Sequence, residues 1–189
     1  MHELGPPDTH HLNAALGWLE LGNGSEARFE WQKIAMVHRE HPEALEICWR
    51  ICAAEKNWLG AVETASKLVQ AASDNPAGWI DLSFALHELK RTQEAWDHLL
   101  PAAAKFPNVS VIPYNLACYA CQLGRLDTAK EQLDLAIKLK GSLMRIAGSM
   151  WNHGPRMWAT MAERQVAVPS LGTEEMSDLI SYLYFFQFI

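Results

Sequence analysis

The chain of 189 residues lacks any apolar run near the length of about 20 residues that crosses a bilayer. Its most apolar stretch, LISYLYFFQFI at residues 179–189, is too short, so no membrane span is expected. Basic residues are few: 16 Lys and Arg stand against 22 Asp and Glu, a formal net charge of −6. A nucleic-acid surface needs the opposite balance to neutralise phosphates, so that class is excluded. The N-terminal MHELGPPD has no basic stretch followed by an apolar run. No secretory signal is read there, and a cytoplasmic location is expected. The four cysteines are then expected as reduced thiols. A Gly-rich phosphate loop is also missing: Gly22-Asn23-Gly24 reads as a turn between helices. The eight histidines are scattered, and His10–His11 are expected ahead of the first helix, in solvent. With no nucleophile, base and orienting acid at a workable spacing, no catalytic residue is assigned and no enzyme is expected.

What is present is a repeat. Ala27, Ala61, Ala95 and Ala129 recur every 34 residues. A small residue at fixed phase with that period marks a helix–turn–helix solenoid. With each alanine as position 20, repeats begin near Asp8, Pro42, Pro76 and Ser110. Position 24 then reads Trp31, Ala65, Leu99, Leu133, and position 27 reads Ile34, Leu68, Ala102, Ala136. In the first helix of each pair, position 7 reads Ala14, Cys48, Leu82, Leu116, and position 11 reads Trp18, Cys52, Leu86, Ala120. Spacings of three and four place these on one face of a helix, where they are expected to be core. His41–Pro42, Asn75–Pro76 and Phe106–Pro107 mark helix ends, because the residue before proline is pushed out of the α region.

This pattern resembles the tetratricopeptide repeat family over residues 8–143. The segment NLACYACQLGRLDTAKEQLDLAIKL at 115–139 carries the match best, through Leu116, Gly124, Leu126, Ala129 and Ala136. Repeat three adds Trp79, Leu82, Ala95 and Pro107, and repeat two adds Trp58. The resemblance implies an all-α, right-handed superhelix of four helix pairs over residues 8–141. It also implies a protein–protein interaction module, an adaptor or scaffold that binds a peptide or helix in its concave groove. In this family positions 5, 9 and 12 of the first helix face that groove. The implied lining includes Leu12, Leu16, Glu46, Arg50, Ile80, Phe84, His87, Tyr114, Asn115, Cys118 and Gln122. Members that grip a peptide's C-terminal carboxylate place Lys, Asn and Arg at positions 5 and 9. Only Arg50 matches, so an apolar peptide or amphipathic helix is the expected ligand.

After Gly141 the phase is lost. Residues 142–189 are expected to add a two-helix cap, the last helix starting at Thr173-Glu174-Glu175. Within them Trp151, Asn152, His153, Pro155 and Met157, then Glu175, Met176, Asp178, Leu179, Ile180, Tyr182 and Leu183, resemble the distal half of small bacterial c-type cytochromes. That resemblance implies Met157, or as second choice Met161, as an axial haem ligand. Covalent haem attachment requires C-x-x-C-H, and here Cys118–Cys121 is followed by Gln122, so no cofactor is assigned. A metal is not assigned either. The nearest approach to a site is Cys118 and Cys121 with His87, for which only Glu88 is near as a fourth ligand. A redox or metal protein built on these residues, and a small-molecule site in the apolar groove, are the alternative functions. The crowding of Tyr182, Tyr184, Phe185, Phe186, Phe188 and Ile189 points to burial against the repeats or in a homodimer.

Overall fold

The computed structural model describes residues 4–140. Among them every regular element is helical. Four antiparallel pairs follow one another: α1 (Asp8–Glu20) with α2 (Gly24–Trp31), α3 (Pro42–Ala54) with α4 (Trp58–Ala71), α5 (Pro76–Glu88) with α6 (Thr92–Lys105), and α7 (Val111–Gln122) with α8 (Leu126–Lys140). The expected cap, Met157 and the aromatic tail lie outside the described residues.

The turn inside each pair repeats atom by atom. Gly22, Lys56, Lys90 and Gly124 all take positive φ, at 74°, 57°, 66° and 77°. They share position 15 of the repeat. The next residue's N–H reaches back to the first helix each time: Asn23 to the Trp18 carbonyl, Asn57 to Cys52, Arg91 to Leu86 and Arg125 to Ala120. This left-handed closure satisfies carbonyls that the helix end would leave bare. The side chains of Asn23 and Asn57 then cap the second helix, accepting from the N–H of Glu26 and Gly60. His41 and Asn75, each before a proline, are extended as the pre-proline rule requires.

Ala27, Ala61 and Ala95 are fully buried, and Ala129 is half-buried against the same core. The small side chain lets the two helices of a pair close on one another. Position 27 is buried in all four repeats. The largest core cluster runs through repeats three and four, around Leu82, Leu86, Trp96, Leu99, Ile112, Leu116 and Tyr119.

Three expectations need correction, all in repeat one. Ala14 and Trp18 are exposed, Trp18 to 36%. In repeat two the matching Cys52 packs beside Arg28 of α2; no described helix precedes α1, so its own stripe has nothing to face. His10 and His11 lie inside α1 rather than ahead of it, and His11 pairs with Glu30 at 3.0 Å. Ile34 is buried, yet outside a helix: α2 stops at Trp31, and a 3-10 turn, Met36–His38, replaces its last turns. Buried Asp8 holds that break open. Its carboxylate accepts from the Ala35 N–H at 3.0 Å and pairs with His38. Arg39 ties the segment down by donating to the Ile34 and Gln32 carbonyls. Met36 and Val37 are left 81% and 78% exposed.

Candidate functional site

The first helices of successive repeats touch one another, α1 with α3, α3 with α5 and α5 with α7, whereas each second helix packs mainly on first helices. The first helices therefore crowd one side of the solenoid and form its inner face. Positions 5, 9 and 12 of α3, α5 and α7, with positions 6 and 13 of α7, bring Glu46, Arg50, Ile80, Phe84, His87, Tyr114, Asn115, Cys118, Cys121 and Gln122 to half-buried or exposed places. Leu12 is placed differently. It is 7% exposed and packs with Leu4, Ile34 and Ala44. Leu16 is half-buried.

Several of these side chains are engaged within the chain. Phe84 meets Trp49 and Trp58 edge-on, at 6.3 and 5.8 Å between ring centres. The Gln122 amide donates to His87 Nε2 at 3.3 Å, which leaves Nδ1–H of that ring to donate to Thr92. The same imidazole lies 4.9 Å from the Tyr119 ring. Burial pushes the Cys118 thiol up to about 11. A protonated thiol is a poor metal ligand. Among the described residues no group of three or more His, Cys, Asp and Glu side chains converges as a metal site.

One acid on this face was not singled out by sequence reasoning. Asp81, on α5, is held up at about 7, by burial first and then by the neighbouring Glu46 carboxylate, against the pull of Arg50. Glu46 accepts from Asn75 Nδ2 at 3.4 Å. Asp81 holds position 6 of its repeat, as Asn115 does in the next, yet only Asn115 was read as groove lining.

On the outer side a second feature appears where α2 ends early. A groove of about 660 Å³ opens there, floored by Leu45, Cys48 and Cys52 of α3 and walled by Arg28 and Trp31 on one side and Gly60 and Thr64 on the other. Cys48 and Cys52 are buried, as their core positions predict, yet both reach the groove. Their spacing of one helical turn was the signal available in the sequence.

No family model matches the chain, and no curated protein does. Solved structures do. A thermophilic TPR protein of Thermus thermophilus superposes with a TM-score of 0.65 at 19% identity, over 94% of this chain and 99% of that one. PilF of Pseudomonas aeruginosa gives 0.64 at 19% identity, over 95% of this chain and 84% of its own. A MamA protein gives 0.65 at 16% identity, over 88% of this chain and all of that one. The likeness is one of fold: this chain is an all-α helical-repeat solenoid of the tetratricopeptide type. No helix among the described residues is long and apolar enough to cross a membrane.

Proposed function

We propose that the protein is an interaction scaffold without chemistry of its own, whose inner face receives a peptide or helix from a protein partner. The observation that carries this reading is the row formed by α3, α5 and α7, where charged, aromatic and amide side chains follow one another along one continuous face. Solenoids of stacked helix pairs offer such extended concave surfaces to partners. Arg50 is exposed on α3 at one end of the row, with Glu46 and Asp81 beside it and Tyr114 and Asn115 further along. Apolar and aromatic groups flanked by few charges suit an amphipathic helix or apolar peptide better than a free carboxylate terminus.

The test is capture of partners from a cell extract by the full chain and by a variant carrying Arg50→Glu and Tyr114→Ala. Phe84 stays intact, because its packing on two tryptophans makes it structural. Equal helicity of the two proteins is checked first. A partner retained by wild type and lost from the variant supports the inner face. Equal retention moves the binding surface elsewhere. The cap over residues 142–189 and a homodimer through its apolar tail belong to the same reading. Light scattering of the full chain beside a Phe185→Ser, Phe186→Ser, Phe188→Ser variant tests the dimer.

A further inference from the structure

The outer groove between α2 and α4 carries a pair of thiols that the inner-face reading does not use. Cys48 and Cys52 lie one turn apart on α3. Arg28, reaching over from α2, donates through Nη2 to Cys52 Sγ at 3.4 Å. That guanidinium is fixed by a two-pronged bond to Glu55, Nε to Oε1 and Nη2 to Oε2, both at 2.7 Å. Cys48, one turn before Cys52 on α3, has its Sγ 3.8 Å from Thr64 Oγ1. So the Cys52 sulfur receives a cationic donor, whereas Cys48 faces only the Thr64 hydroxyl. The other charged groups that share the groove are Arg39 and Glu40 beside the 3-10 turn, and Glu63 and Lys67 on α4. Lys67 is engaged with Glu40 and Glu63, and Arg39 with backbone carbonyls, so Arg28 is the cation that meets the thiol pair.

We propose that Cys52 is a modification site, a nucleophile that exchanges with low-molecular-weight disulfides entering this groove. The thiolate of Cys52 attacks one sulfur of R–S–S–R. A Cys52–S–S–R bond forms, the R–S–S–R bond breaks, and the leaving RS⁻ carries away the electron pair. One thiolate is consumed and one released, so the exchange needs no further oxidant. The neighbouring Cys48 sulfur and the Arg28 guanidinium hold the Cys52 thiol below its ordinary range, with burial and Glu55 opposing, whereas Cys48 is pushed up by the neighbouring sulfur and by burial. The contrast with Cys118, held up by burial, singles out the α3 pair. The groove is within the size range of small-molecule sites, and its mixed-charge rim suits a small zwitterionic thiol compound. The adduct would fill the space between α2 and α4 and displace Arg28, at the junction of the first two repeats.

The experiment is thiol titration of the full chain at pH 6.5 with Ellman's reagent, beside mass mapping after incubation with oxidised glutathione. One fast thiol per chain is expected, with the glutathionyl group on the peptide holding Cys52. Cys52→Ser should remove the fast phase. A Cys118→Ser, Cys121→Ser variant should keep it. Arg28→Met should slow it about tenfold while the other thiols are unchanged. Because Cys52 is only 3% exposed, iodoacetamide serves as a smaller probe of the same thiol. A fast phase that survives Cys52→Ser overturns the proposal. So does a Cys52 that reacts with both reagents no faster than Cys118 in the native chain.

Discussion

The hydroxyl groups of Ser83 and Tyr119 meet at 3.2 Å between α5 and α7, both fully enclosed. Ser83 spends its one hydrogen on the Ile80 carbonyl at 2.8 Å. Tyr119 is therefore the donor of the pair, and burial pushes its phenol further from ionisation. The two substitutions should differ in cost. Tyr119→Phe removes a donor and leaves Ser83 bonded to Ile80, at a cost of about 1 kcal/mol. Ser83→Ala strands a buried hydroxyl and should cost about 1–3 kcal/mol. The double variant should recover part of the second loss. Urea midpoints of the three proteins measure this, and strictly additive losses would show that the two hydroxyls do not interact.

The four left-handed turn residues allow a second test. Lys56 and Lys90 hold at φ 57° and 66° what Gly22 and Gly124 hold without a Cβ. A left-handed L-residue costs roughly 1–2 kcal/mol, partly offset by the greater freedom that glycine loses on folding. Lys56→Gly and Lys90→Gly should each stabilise by roughly 0.5–1 kcal/mol. Gly22→Ala should destabilise by a similar amount, although open space surrounds it, because its φ of 74° alone sets the strain. Thermal midpoints decide the matter, and a loss on either Lys→Gly change contradicts it.

These turns also show how far the sequence could be read. The alanine period located all four pairs, because packing two helices closely demands a small residue at one phase. The same period fixed the backbone at position 15, even where lysine stands in place of glycine. Repeat one escaped the pattern because its determinants are not periodic. Asp8 reaches across to Ala35 and His38, a contact 27 to 30 residues away that no repeat position encodes. Trp18 follows the stripe in sequence, but among the described residues no helix precedes α1 to cover it. On the inner face, spacing located the row of side chains. It did not show that Phe84 is held by two tryptophans, or that burial beside Glu46 changes the character of Asp81.

Asp8 makes the break in α2 testable. His38 first, and the Ala35 N–H second, hold its carboxyl below the ordinary aspartate range, with burial opposing. A lowered native pKa means that stability is present above the unfolded value and is lost as pH falls through the folded one. Asp8→Asn should therefore destabilise at pH 7, by about 1–3 kcal/mol for a buried, charge-assisted pair. The gap between variant and wild type should close below pH 4. It should also loosen the segment around Met36, which hydrogen exchange at the Ala35 amide would report. An Ala35 amide equally protected in the variant would refute the role given to Asp8.

Asp81 has the opposite sign, and it lies on the face proposed for a partner. Burial and Glu46 raise its carboxyl to about 7 from 3.8. Between those values the folded chain keeps a proton that the unfolded chain has released, so stability falls as pH rises from about 4 to about 7. Above that window the cost is present in full. Asp81→Asn should leave stability unchanged near pH 4 and raise it at pH 8, by roughly 1–3 kcal/mol after allowance for partial solvation. Denaturant midpoints at the two pH values test this, and a difference independent of pH would rule it out. The consequence reaches the inner face. Near neutrality Asp81 changes between a neutral hydrogen-bond donor and a second negative charge beside Glu46, with Arg50 as the nearby cation. A partner that places a Lys or Arg there should bind more tightly at pH 8 than at pH 6, and that dependence should vanish in Asp81→Asn. A partner that binds through apolar contacts alone should show the same affinity at both pH values, so a binding titration at pH 6 and 8 would distinguish the two kinds of ligand.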